Sequence, residues 1–120
     1  MLGVGELIIL VGLISGLYLL IRPPKWFTDL KKKKFVSDHG GIYIDKTLDA
    51  HIRSIGIRIL EKNNLSELGI KFHVLRANIP NAFALPPREV YLTRGILHFS
   101  RNDDELAATL AHEIGHIKAG

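Results

Sequence analysis

No feature restricts the fold of this chain more than the periodicity of residues Asp103 to Ala119. Counting about 100° per residue from Leu106, the residues Leu110, Ile114 and Ile117 fall at about 40°, about 80° and about 20°, a single apolar stripe that must be buried. On the same count His112 and His116 fall at about 240° and about 280°, one turn apart on a shared face. Glu113 falls at about 340°, between that face and the stripe. Start signals precede the segment: Ser100 and Asn102 are N-cap candidates, and Asp103, Asp104 and Glu105 place acids in the first turn. The segment is therefore predicted to be a helix with one face in a core and two imidazoles on another.

The order H-E-x-x-H from His112 to His116 carries a specific chemistry. Four-residue spacing brings two imidazoles within reach of one metal ion. Glu113 cannot easily share that metal, but it can reach a water beside it and accept a proton. One Zn2+ per chain is the expected cofactor, with His112 and His116 as ligands and Glu113 as the base. The bare motif also occurs in unrelated helices as a merely polar face. A catalytic zinc takes three protein ligands, and the other histidines are His39, His51, His73 and His98. Asp103, Asp104 and Glu105 lie two or more turns before His112, too far along the axis. By ligand type His98 is the least remote substitute, whereas His73, on a strand, reads as a packed or surface histidine. Gly115 gives up about 1 kcal/mol of helix propensity relative to alanine, which is explained if another backbone passes close to it.

The amino-terminal end has a different character. Leu7 to Ile21 is uncharged, and Met1 to Glu6 extend it to the start of the sequence. As a helix, residues 1–21 would be about 31 Å long, close to the hydrocarbon thickness of a bilayer. A cleaved leader would carry positive charge ahead of its apolar stretch, and no lysine or arginine precedes Arg22. Residues 1–21 are accordingly expected to be a single transmembrane anchor. The net charge of +4 is local: residues 22–34 carry +5, and residues 35–120 are balanced. That basic flank favours a cytoplasmic carboxyl-terminal domain, and Lys31 to Lys34 would meet anionic headgroups. The balanced remainder argues against nucleic-acid binding. With no cysteine, disulfides, thiolate metal sites and a cysteine nucleophile are excluded.

Pro23-Pro24 should end the anchor helix, and residues 22–41 read as a basic juxtamembrane linker. Gly41 to Asp45 reads as a short strand or extended piece. Apolar residues at three- and four-residue steps predict a helix over Leu48 to Leu60. Ile70 to Ala77 reads as mostly strand, and Asn81 to Thr93 as two short strands parted by Pro86-Pro87. A short helix is expected from Arg94 to Phe99. The fold class is α+β: a transmembrane helix, then a small domain over residues 42–120 made of a helix, a short sheet and the H-E-x-x-H helix.

Three stretches in fixed order, NAFALP (Asn81 to Pro86), VYLTRGIL (Val90 to Leu97) and DELAATLAHEIGH (Asp104 to His116), resemble the zinc metallopeptidases that include the HtpX-like membrane proteases and the CAAX prenyl proteases. The resemblance covers roughly residues 45–120. It implies a zincin-like domain with zinc-dependent endopeptidase activity, His112 and His116 as ligands, and Glu113 as general base. It also implies that Asn81, Ala82, Phe83 and Ala84 form the edge strand lining a cleft, to which a peptide or protein substrate would pair through its backbone. Relatives usually carry glycines after NAFALP, where this chain has Pro87 and Arg88. In the family the third ligand is a glutamate on a later helix. The sequence is therefore expected to be the amino-terminal portion of a longer protease, or to be completed by a second chain that supplies that glutamate.

Two functions follow from this reading. One is a membrane-anchored zinc metalloendopeptidase. The other is a non-catalytic, membrane-tethered module, derived from such a protease, that binds peptides or a partner through the edge strand.

Overall fold

The computed structural model describes residues 24–120, which fall into two compact units divided after Lys34. The anchor expected over residues 1–21 lies outside the described residues. Among the described residues no helix is long and apolar enough to cross a membrane.

The segment read as a linker is helical: α1 spans Lys25–Asp38. A proline that reads as a helix stop can also stand at a helix start. The Pro24 carbonyl accepts from the Phe27 and Thr28 amides at 3.0 and 3.3 Å, and lysine is a good helix former.

The second unit, Phe35–Gly120, is an α+β fold. Helix α2 (Lys46–Lys62) starts where the Asp45 carboxylate accepts from the Leu48 amide at 3.0 Å. A 3-10 turn at Ser66–Leu68 leads into β1 (Lys71–Leu75), followed by β2 (Ala82–Leu85) and β3 (Glu89–Thr93). The sheet order is β1-β3-β2, with β1 parallel and β2 antiparallel to β3. The stretch 41–45, read as a short strand or extended piece, forms one bridge, Ile42 to Leu75. Two helices complete the chain, α3 (Arg94–Phe99) and α4 (Asp103–Ala119).

Alternation along the strands divides the side chains between two faces. Val74, Val90 and Leu92 join Ile52 and Ile55 of α2 and Leu106, Leu110 and Ile117 of α4 in one buried cluster. The opposite face is aromatic. Tyr91 is buried there, between His73 (centroids 4.9 Å apart) and Phe83 (5.7 Å), and Phe35 meets Phe83 edge-on at 3.9 Å.

Two glycines are fixed by close approach. A Cβ on Gly56 of α2 would fall 2.3 Å from the Phe72 ring, and one on Gly95 of α3 would fall 2.1 Å from the Asn78 carbonyl oxygen. Only hydrogen lets these surfaces meet.

The start of β2 hangs on one buried hydroxyl. Thr93 Oγ1 donates to the Ile79 carbonyl at 2.7 Å and accepts from the Asn81 amide at 2.9 Å. It also accepts from the Ile96 amide at 3.2 Å, which caps α3. One side chain thereby sets both the start of the edge strand and the start of the next helix.

Candidate metal centre

Helix α4 begins at a double cap. Asn102 Oδ1 accepts from the Glu105 amide at 3.0 Å, and Glu105 Oε1 reaches back to accept from the Arg101 amide at 2.8 Å. Ser100, the other N-cap candidate, instead closes α3, with its Oγ donating to the Ile96 carbonyl at 2.9 Å. With the start fixed, the periodicity sets every face. Leu106, Leu110, Ile114 and Ile117 are buried, and His112 and His116 are exposed.

The two imidazoles converge. Their Nε2 atoms are 3.1 Å apart and their rings stand at 89° to one another. Two nitrogens bound to one tetrahedral zinc at about 2.0–2.1 Å would stand about 3.3 Å apart, so the pair fits zinc closely. His112, Glu113 and His116 each offer a ligand atom, all within 4.8 Å of one another. Among the described residues no other histidine or carboxylate joins this group. His73 is instead bonded to Glu89 at 2.5 Å and His51 to Asp103 at 2.9 Å, while His98 lies exposed on α3.

Glu113 is only 7% exposed. Burial raises its carboxyl above the ordinary carboxylate range, while His116, His112 and a hydrogen bond from the Ala84 amide pull the other way. Desolvation is the largest of these, so the group is poised to take a proton.

The Ala84 amide belongs to β2, the sheet edge that packs against α4. The Asn81 carbonyl accepts from the Thr93 amide at 3.0 Å, so Asn81, Phe83 and Leu85 turn their main-chain groups towards β3. Ala82 and Ala84 turn theirs to the open edge. The stretch expected to line a cleft is therefore divided. The Ala84 backbone meets Glu113 and Ala82 shares its edge. The Phe83 ring points to the opposite sheet face, and Asn81 Oδ1 is engaged by the Ala82 amide at 2.9 Å. Nothing in the sequence pattern marked Ala84 as the direct partner of Glu113, because the contact is made by a backbone amide.

This geometry coincides with a match to the model of Peptidase family M48 over residues 46–120. The chain belongs to that family. Its members are zinc metallopeptidases, in keeping with a His–Glu–His group that could hold a metal. The chain is 44% identical over 59 residues to the mitochondrial metalloendopeptidase OMA1 of Schizosaccharomyces pombe, covering 49% of this chain and 18% of that protein. It is 32% identical over 73 residues to the beta-barrel assembly-enhancing protease of Escherichia coli K12, covering 61% of this chain and 15% of that protein. The chain thus spans less than a fifth of the length of these relatives.

Proposed function

We propose that this chain carries the metal-binding and proton-accepting part of a membrane-anchored zinc metalloendopeptidase. The observation that carries the reading is the convergence of the His112 and His116 Nε2 atoms at 3.1 Å beside a buried Glu113. His112 and His116 would hold zinc through their Nε2 atoms, with a third ligand from outside these residues. Zinc, when bound, supplies Lewis acidity to a carbonyl and makes a nearby water easier to deprotonate.

The chain's own groups do the rest. Glu113 accepts a proton from the attacking water and returns one to the leaving amine. The Ala84 amide holds its carboxylate in place, and burial keeps its proton affinity high. A substrate strand donates its amides to the outward carbonyls of Ala82 and Ala84, whose own amides are held by Asn81 Oδ1 and Glu113, and its scissile bond is carried past the histidines. Residues 1–21 serve as the anchor, and the basic flank keeps the domain on the cytoplasmic side.

The test uses the natural protein that carries this sequence, purified with its zinc. It should cleave peptide bonds in a chelator-sensitive manner, and Glu113→Gln should abolish turnover while zinc stays near one per chain. Residues 1–120 alone should bind zinc weakly and exchangeably and show little proteolysis of casein. Undiminished cleavage by Glu113→Gln would overturn the assignment.

A further inference from the structure

Helix α1 carries a surface that the peptidase site does not use. Counting about 100° per residue from Trp26, Leu30 and Phe27 fall at about 40° and about 100°, on one side of the helix. The three side chains Trp26, Leu30 and Phe27 are 65%, 58% and 37% exposed. On the same count Thr28 and Lys32 fall at about 200° and about 240°, and both are half-buried. A helix in water has no reason to gather its tryptophan, a phenylalanine and a leucine on its exposed side.

The charges around that patch are of one kind. Lys25 and Lys31 to Lys34, against Asp29 and Asp38, give α1 a net charge of +3. The Lys31 ammonium stands 4.9 Å from the Phe27 ring centre, so a lysine stem runs along the apolar patch with its charge at the rim. Indole and phenyl rings beside lysines match the boundary between acyl chains and headgroups. The surface that complements both parts is an anionic phospholipid bilayer. Each lysine near such a surface strengthens binding about five-fold.

We propose that the first turns of α1 lie in the plane of an anionic membrane, with Trp26, Phe27 and Leu30 among the upper acyl chains and Lys31, Lys33 and Lys34 at the headgroups. The segment is then a second membrane contact, distinct from any span formed by residues 1–21.

The chain has no cysteine, so single spin-labelled cysteines can be placed on the full chain without background. Labels at Trp26→Cys, Phe27→Cys, Leu30→Cys, Thr28→Cys and Lys32→Cys would be read in vesicles of phosphatidylcholine with phosphatidylglycerol. At 26, 27 and 30 they should be reached by oxygen dissolved in lipid, and at 28 and 32 by a nickel relaxant in water. The pattern should be lost in phosphatidylcholine alone, and in the chain with Lys31 to Lys34 all changed to glutamine. Three results would overturn the proposal: a decline from 26 to 32 regardless of face, the same pattern in both lipids, or labels at 26, 27 and 30 shielded from both relaxants, as beneath a protein partner. Resistance of the chain to alkaline extraction reports the span at 1–21 separately, so failure of the anchor and failure of the helix face are distinguishable.

Discussion

The two edges of the three-stranded sheet are built to opposite ends. At the β2 edge the outward residues are Ala82 and Ala84, and α4 stands beside them with His112, Glu113 and His116. At the β1 edge the Tyr43 amide donates to the Val74 carbonyl at 2.8 Å and Ile42 bridges to Leu75, which closes part of the strand. What remains open there is a groove of about 720 Å³ whose lining includes Lys46, Arg53, Ile57, Lys71 and Phe72. Large side chains and a covering segment protect one edge; outward main chain and a polar helix face equip the other. An unpaired edge is a hazard unless it is covered, charged or put to use, and this sheet resolves the problem differently on each side.

That contrast predicts a graded series of effects. The largest falls on the β2 side, where Glu113→Gln should lower chelator-sensitive cleavage by about 10³-fold, within the range for losing a general base. Far-ultraviolet circular dichroism should stay unchanged. His112→Ala or His116→Ala should remove stoichiometric zinc, read as loss of the cobalt ligand-field spectrum after substitution. Retention of that spectrum in either variant would break the contrast at its origin.

Stability should follow the reverse order. Gly56→Ala, beneath Phe72 near the β1 edge, forces the ring aside and should destabilise by about 1–3 kcal/mol in denaturant melts. Gly115→Ala, on the site helix, meets nothing within 4 Å and should stabilise by up to about 1 kcal/mol. The close backbone expected at Gly115 is absent among the described residues, and Gly56 and Gly95 hold the tight contacts instead. A destabilised Gly115→Ala in the natural protein would reveal a segment packed on that face of α4.

The smallest effect concerns pH. Burial raises the Glu113 carboxyl above its unfolded value, so the folded state favours its protonated form. The stability this contributes is fully present below the unfolded carboxylate pKa and is lost as pH rises through the folded one. In the presence of chelator the wild type should therefore lose stability across that window relative to Glu113→Gln. Thermal melts at a series of pH values would show it, and parallel curves for the two proteins would contradict it.

The sequence by itself determined what depends on neighbours along the chain. The spacing of Leu106, Leu110, Ile114 and Ile117 orients α4, and the same count places His112 and His116 together, because helix geometry fixes relative directions within a few turns. Alternation and the paired prolines likewise locate β1, β2 and β3 to within a few residues. Local signals misled at this point: Pro23-Pro24 reads as a stop, yet Pro24 opens a helix of lysines.

Only the tertiary structure decided which partners meet across distance. That β3 lies between β1 and β2, that Thr93 ties Asn81 to α3, and that an Ala84 amide reaches Glu113 are matters of backbone approach between segments. No side-chain pattern encodes such an approach, since any residue but proline offers the same amide. The chemistry of the site was written locally; its proton affinity and its open strand came from what folds against it.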